Sequence, residues 1–230
     1  MNIKKTRKLI IFGTGEIGVL ARTYFHYDSE YEVVAFTADD QFVSGDTFEG
    51  LPLIPLSKLS ERYSPRETEM HVALSYKKLN KIRASKYELA KSMGYTLASY
   101  VCSKSVTWPD LTMGDNCFIL ENQTIQPTVK IGNNVMIWSG NHLGHGSVIG
   151  DHTYISSHVC IAGHTTIGAY CFLGVNATTK DFIKIGNNVK IGGGSVVVHS
   201  VPDNCTVVGV PAEIVRRDGK RIKNEDDMLD

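Results

Sequence analysis

The sequence has no excess of either charge: 24 Lys and Arg stand against 24 Asp and Glu in 230 residues. That balance gives no general affinity for nucleic acid or an acidic membrane surface, so neither is expected as a partner. No apolar run approaches the ~18 residues that a membrane-spanning helix needs. The basic start MNIKKTRK leads into LIIF, too short for a signal-peptide core, and then into a glycine turn. The five cysteines (102, 117, 160, 171 and 205) form no CxxC pair. A cytoplasmic protein with reduced, mostly structural thiols is the expectation.

What is present is a period. From Ser105 to Ser200 the chain reads as sixteen consecutive hexapeptides with nothing inserted: SVTWPD, LTMGDN, CFILEN, QTIQPT, VKIGNN, VMIWSG, NHLGHG, SVIGDH, TYISSH, VCIAGH, TTIGAY, CFLGVN, ATTKDF, IKIGNN, VKIGGG, SVVVHS. The third slot is Ile, Leu, Val or Met in fourteen of the sixteen, with Thr107 and Thr179 the departures. The first slot is small or short at Ser105, Cys117, Val129, Ser147, Thr153, Cys171 and Ala177. One large and one small inward residue per hexad fit the flat faces of a triangular prism, a parallel β-helix of roughly five coils with about 18 residues each. Glycine follows the aliphatic residue in IGNN, LGHG, IGDH, IGAY, LGVN and IGGG, and the expectation is that it turns the corner.

Before Ser105 the period changes. Lys8–Phe12 is a short apolar run followed at once by Gly13-Thr14-Gly15-Glu16-Ile17-Gly18, and residues 19–27 carry apolar positions at helical spacing. Further strands are expected at 31–37, 51–55, 70–75 and 96–101, with helices at 57–63 and 77–93. Strands alternating with helices mean an open parallel α/β sheet. A GxGxxG between a strand and a helix cradles phosphate on backbone N–H groups and the helix N-terminus. The other reading is a tight turn that packs the helix on the sheet. The acidic pair Asp39-Asp40 stands about twenty residues on, where a carboxylate meets ribose hydroxyls. A unit of this size holds one mononucleotide-binding half, which favours a nucleotide or nucleotide sugar over a dinucleotide. The domains expected are residues 1–104, an α/β Rossmann-like nucleotide-sugar-binding domain; 105–215, the β-helix with its C-terminal cap; and 216–230, a charged tail that frays.

This combination resembles the bacterial sugar acyltransferases of the sialic-acid O-acetyltransferase group, which includes nucleotide-amino-sugar N-acetyltransferases. GTGEIG, NHLGHGSVIGDH and VPDNCTVVGVPAEIV carry the resemblance. It implies a left-handed β-helix and a homotrimer with acetyl-CoA lying outside the prism between subunits. It also implies that the N-terminal domain holds the nucleotide of the sugar. The chemistry it implies is direct attack of a sugar amine or hydroxyl on the thioester, with histidine as base. Neither a metal nor a covalent intermediate is required.

Of eight histidines, the resemblance selects His145 as the base and the Gly163 N–H as donor to the thioester oxygen. The repeat agrees with that choice, because residues 18 apart stack and the column through His145 reads Pro127, His145, Gly163, Asp181, His199. Relatives often place an acidic residue directly after the base; here Gly146 follows, so no local carboxylate orients it. Gly209, Val210 and Pro211 are implied to line acetyl-CoA, with Asn176, Lys190, Arg216 and Arg217 as further candidates. Gly13, Thr14 and Gly15 are implied at the phosphates, and Asp39 and Asp40 near the ribose or base. Ser75, Tyr76 and Lys77 are candidates at the carboxyl edge of the sheet, Tyr76 stacking on the base or lying free on the surface. Two readings of Glu16 stand: contact with the sugar amine, or a cap on the first helix. His142 either orients substrate or faces solvent.

The favoured activity is N-acetylation of a nucleotide-linked amino sugar for surface polysaccharide, with sugar O-acetylation as the near alternative. A zinc hydratase of the carbonic anhydrase type uses the same β-helix but needs three converging histidines and gives the α/β domain no role. An NAD-dependent oxidoreductase would need the second half-sheet. A scaffold that only trimerises is the non-enzymatic alternative.

Overall fold

The computed structural model describes residues 3–222. It divides into two compact units. One runs to Ser103 and includes Asp115–Phe118; the other comprises Lys104–Gly114 and the chain from Ile119 onward. The division falls where the sequence period changes. Asp115–Phe118 belongs to the repeat by sequence yet groups with the first unit, because the Asn116 amide pairs with the backbone of Val72: its Oδ1 accepts the Val72 N–H at 2.7 Å and its Nδ2 donates to the Val72 carbonyl at 3.3 Å.

The first unit contains β1 (Arg7–Phe12), α1 (Glu16–Tyr27), β2 (Tyr31–Ala38), β3 (Thr47–Phe48), β4 (Leu51–Pro55), α2 (Leu59–Arg62), β5 (Glu69–Val72) and α3 (Lys81–Ser92). Its sheet has the order β3-β4-β2-β1-β5, parallel except for the β3–β4 hairpin. Leu97 bridges Met70 on the far side of β5. Leu9–Phe12 is buried throughout, as a central parallel strand covered on both faces must be. α1 buries Gly18, Ala21 and Phe25, and α3 buries Ala84, Tyr87 and Ala90, each along one helical stripe. The chain leaves β1 toward β2 on one side and returns to β5 on the other, so the crevice where ligands bind such sheets opens beside Gly13.

Three expectations in this unit change. The strand expected over 70–75 stops at Val72. The helix expected from residue 77 begins at Lys81, because Lys78, Leu79 and Asn80 take left-handed φ values of 52°, 49° and 62°. The last strand shrinks to the Leu97 bridge and Tyr100–Val101.

The second unit is the prism. Two-residue strands at the second and third slots of each hexad pair in parallel, 18 residues apart: Lys130 with Val148, Thr166 and Lys184 on one face; His142 with Cys160, Thr178 and Val196 on the next; Met136 with Tyr154, Phe172 and Lys190 on the third. Every third-slot residue from Ile119 to Val197 is buried.

The glycine expectation is corrected. The left-handed residue that turns each corner stands at the sixth slot: Asn122, Thr128, Asn134, Gly140, Gly146, His152, His158, His164, Tyr170, Asn176, Phe182, Asn188 and Gly194 all have φ between 54° and 78°. Asn and His are among the residues that tolerate this region best, which accounts for three of the histidines. The fourth-slot glycines serve close approach instead. A Cβ on Gly144 would lie 2.5 Å from the Gly163 nitrogen, and one on Gly174 2.5 Å from that of Gly193.

The prism's last coil is two residues short. Ile185 bridges Val201 and Lys190 pairs with Thr206, an offset of 16 rather than 18, so the repeat read through Ser200 loses its register in the final hexad. The charged tail is also corrected in part. Cys205–Gly209 pairs with Ala212–Arg217 as an antiparallel hairpin, and Arg217 pairs on with Lys220, so residues 216–221 are strand and turn. The remainder of that tail, 223–230, lies outside the described residues. The five cysteines are free thiols. Burial raises the Cys171 thiol to about 12, in keeping with an inert core side chain.

Candidate active site

The prism holds the ring of an exposed corner histidine, His145, in a defined pose. His145 is the fifth-slot residue of its hexad, exposed at a corner. Its ring lies directly over Gly163 of the next coil, as the column of stacked residues requires: a Cβ on Gly163 would stand 2.8 Å from the His145 Cε1 and 3.1 Å from Nε2. The Gly163 N–H donates to no acceptor among the described residues. On its other side His145 meets the His164 ring edge to face, with centroids 4.9 Å apart, and His164 stacks in turn on Phe182 at 4.9 Å.

Two residues that sequence reasoning missed complete this corner. Gln126, on the preceding coil, places its Oε1 2.8 Å from the His145 backbone nitrogen and 3.1 Å from His145 Nδ1. His164 fills the space beside Gly146; a Cβ on Gly146, which has φ +67°, would lie 2.5 Å from His164 Nδ1. The signal for Gln126 was a polar residue at the fourth slot, below Gly144. The offset to His145 is nineteen residues rather than eighteen, so the column passes it by. His142 lies three residues along the coil on a flat face, paired through its backbone with Thr124 and Cys160. No hydrogen bond or ring contact joins it to His145 among the described residues.

Gly209, Val210 and Pro211 form the turn of the C-terminal hairpin, with Val210 71% exposed and the Gly209 N–H donating to Ser195 Oγ at 3.3 Å. Asn176 is an exposed corner, and the Lys190 ammonium sits over the Phe172 ring at 5.9 Å. Arg216 and Arg217 are exposed on the hairpin's second strand.

In the α/β unit the three glycines of GTGEIG separate by role. Gly13 has φ +125°, and a Cβ there would be 2.6 Å from the Ala73 carbonyl oxygen. A Cβ on Gly18 would run into the Gly13 carbonyl, so Gly18 seats α1 on the turn. Gly15, the N-cap of α1, has nothing within 4 Å of the same position and no side chain to cap the helix. That is the pattern of a phosphate cradle: a tight turn, an open approach to the helix N-terminus, and close packing behind it. Thr14 is half-buried in the cradle, and Glu16 is exposed as the first helical residue. Asp39 and Asp40 stand at the end of β2 with their carboxylates already engaged. Asp39 pairs with Lys86 at 2.6 Å, and Asp40 accepts from the Ser57 hydroxyl, which, with the Ser57 N–H at 3.1 Å, holds its carboxyl below the usual range. Ser75, Tyr76 and Lys77 follow β5, Tyr76 46% exposed and its carbonyl accepting the Asn80 N–H at 3.0 Å.

A family model of bacterial transferase hexapeptide repeats matches residues 128–163 and 164–199. Serine acetyltransferase of Bacillus subtilis strain 168 is 33% identical over 164 residues, 67% of this chain and 71% of that protein. The acetyltransferase domain of PglB from Neisseria gonorrhoeae FA1090 superposes with a TM-score of 0.76 at 25% identity, covering 91% of this chain and 100% of that one. PerB from Caulobacter crescentus, solved with CoA and GDP-perosamine, gives a TM-score of 0.78 at 22% identity over 90% and 96% of the two chains. The fold is therefore an N-terminal α/β region followed by a left-handed parallel β-helix. No helix among the described residues is long and apolar enough to cross a membrane.

Proposed function

The chain belongs to the hexapeptide-repeat acyltransferases, and from that premise we propose that it uses acetyl-CoA to N-acetylate a nucleotide-linked amino sugar with His145 as general base. The single observation that carries the reading is the pairing of two features in one chain: a glycine cradle open at Gly15 and a corner histidine seated on a glycine whose N–H is unused. Acetyl-CoA supplies the thioester. The sugar amine attacks its carbonyl, a C–N bond forms, the C–S bond breaks, and His145 Nε2 takes the amine proton and returns it to the departing thiolate. The Gly163 N–H fits the carbonyl oxygen as charge develops on it. Gly13, Thr14 and Gly15 hold the phosphates of the nucleotide, with Ser75, Tyr76 and Lys77 beside them. Gly209, Val210 and Pro211 border acetyl-CoA, and the active unit is a homotrimer with sites between subunits, serving polysaccharide synthesis in the cytoplasm.

Hydroxyl acetylation is the second reading, favoured by the 33% identity to a serine acetyltransferase. The experiment is release of free CoA thiol from acetyl-CoA with UDP-, dTDP- and GDP-amino sugars, their hydroxyl counterparts, and L-serine. Turnover with an amino sugar alone supports N-acetylation; turnover only with serine or a hydroxyl sugar overturns it. His145→Ala is expected to lower kcat by about 10²–10⁴ with acetyl-CoA binding kept. Unchanged kcat across neutral pH would remove His145 from the chemistry.

A further inference from the structure

We propose that Gln126 is the positioning residue of the base: its side-chain oxygen fixes His145 as the Nδ1–H tautomer and leaves Nε2 as the basic nitrogen. The inference rests on the assignment of His145 as base, and its test separates the two. The orientation of the Gln126 amide follows from one contact. The backbone N–H of His145 can only donate, so the group 2.8 Å from it is Oε1 and not the NH₂. The same oxygen lies 3.1 Å from His145 Nδ1. An amide oxygen only accepts, so Nδ1 must carry the proton, and in a neutral imidazole the lone pair is then on Nε2.

The position after the base does not provide this acceptor. Gly146 is left-handed and its Cβ direction is occupied by the His164 ring, so a carboxylate at 146 would displace it. The acceptor comes instead from the coil before, and it is neutral. A carboxylate there would fix the same tautomer while also stabilising imidazolium, which raises the basic pKa and takes the base out of its neutral form at a higher pH. Gln126 orients without that charge. The other groups facing the ring are His164 at its edge, Gly163 beneath it and Pro127 in the coil before. Lys180, Asp181 and His199 follow in later coils of these columns, the nearer two about 10 Å on at two strand spacings. Asp110 is turned to the Thr128 N–H at 2.7 Å.

The test needs no knowledge of the acceptor. Long-range ¹H–¹⁵N spectra of the full chain, with the His145 signals assigned by their loss in His145→Ala, are recorded against pH for the native protein, Gln126→Met and Gln126→Glu. The native protein is expected to show Nδ1 protonated and Nε2 bare. Gln126→Met, of similar length with no strong acceptor, is expected to shift the population toward Nε2–H, and Gln126→Glu to raise the His145 pKa by about one unit or more. An Nε2–H tautomer in the native protein, or the same tautomer and pKa in all three, overturns the proposal. Once an acceptor is in hand, Gln126→Met should lower kcat about 10- to 100-fold with KM for acetyl-CoA unchanged. Gln126→Glu should restore kcat with its acid limb moved to higher pH. If Gln126→Met keeps native kcat while His145→Ala is inactive, Gln126 has no positioning role and the base assignment stands; if His145→Ala is itself active, the base assignment fails first.

Discussion

The two units use glycine in opposite ways. In the α/β unit three glycines within six residues do three different things: Gly13 bends under the Ala73 carbonyl, Gly15 faces open space, and Gly18 lets α1 touch the turn. In the prism the same residue does one thing at each slot, close coil-to-coil contact at the fourth and a left-handed corner at the sixth. In a repeat, place within the period fixes a residue's task. In a single loop the task depends on what folds over it, which only the assembled unit reveals. The largest effect that could break this contrast is Gly18→Ala, expected to cost about 4 kcal/mol or more because the Cβ meets backbone. Gly15→Ala, one turn earlier with extended φ and open surroundings, should stay within about 0.5 kcal/mol and instead weaken the nucleotide-sugar KM. Hydrogen exchange of the β1 amides reads the first unit alone; equal loss of protection in both variants would end the distinction.

Histidine burial does not simply follow the units, since His152 is buried in the prism and His26 is exposed in the α/β unit, but one contrast is sharp. His145, His158, His164 and His199 are exposed in the prism, while His71 in the α/β unit is fully enclosed, its ring 5.1 Å from that of Phe25 and its Nδ1 2.9 Å from the Ala98 carbonyl. Burial drives the His71 pKa down to about 4 against an ordinary 6.5. Below 6.5 the unfolded chain takes up a proton that the folded one refuses, so the stability of this unit is full above pH 6.5 and falls as the pH drops toward 4. The span corresponds to about 3 kcal/mol. Hydrogen exchange of the β5 amides between pH 7 and 4 should show that loss, and His71→Asn, whose Nδ2 takes the place of the ring Nδ1 that meets Ala98 and which does not titrate there, should flatten it. An equally steep acid loss in His71→Asn would assign it to other groups.

The fold was legible because its signals are periodic. Sixteen hexads, fourteen of them with an aliphatic third slot, permit few structures, and the 18-residue column sets His145 beside Gly163. Position within the hexad was harder to read, because glycine recurs at the fourth slot while the corner is turned at the sixth by Asn, His, Tyr and Phe as well. Gln126 escaped because a side chain reaches across register: its carbonyl sits one residue off the column. Asp39 and Asp40 were placed by spacing alone, and spacing does not disclose that Lys86 and Ser57 already occupy them. The left-handed run Lys78–Asn80 carries no glycine to announce it.

The smallest effect tests that correction within one hexad, CFLGVN. Gly174 at the fourth slot has no room for a Cβ, 2.5 Å from the Gly193 nitrogen, whereas Asn176 at the sixth is exposed with φ 58°. Gly174→Ala should therefore cost about 2 kcal/mol through overpacking, and Asn176→Ala about 1 kcal/mol through its left-handed backbone alone. Asn176→Gly should cost nothing or add stability, since glycine adopts that conformation freely. Both tryptophans, Trp108 and Trp138, lie in the prism, so their fluorescence in denaturant follows this unit. If Asn176→Ala were the more damaging change, or if Asn176→Gly lost as much as Asn176→Ala, backbone handedness at the sixth slot would not be what turns the corner.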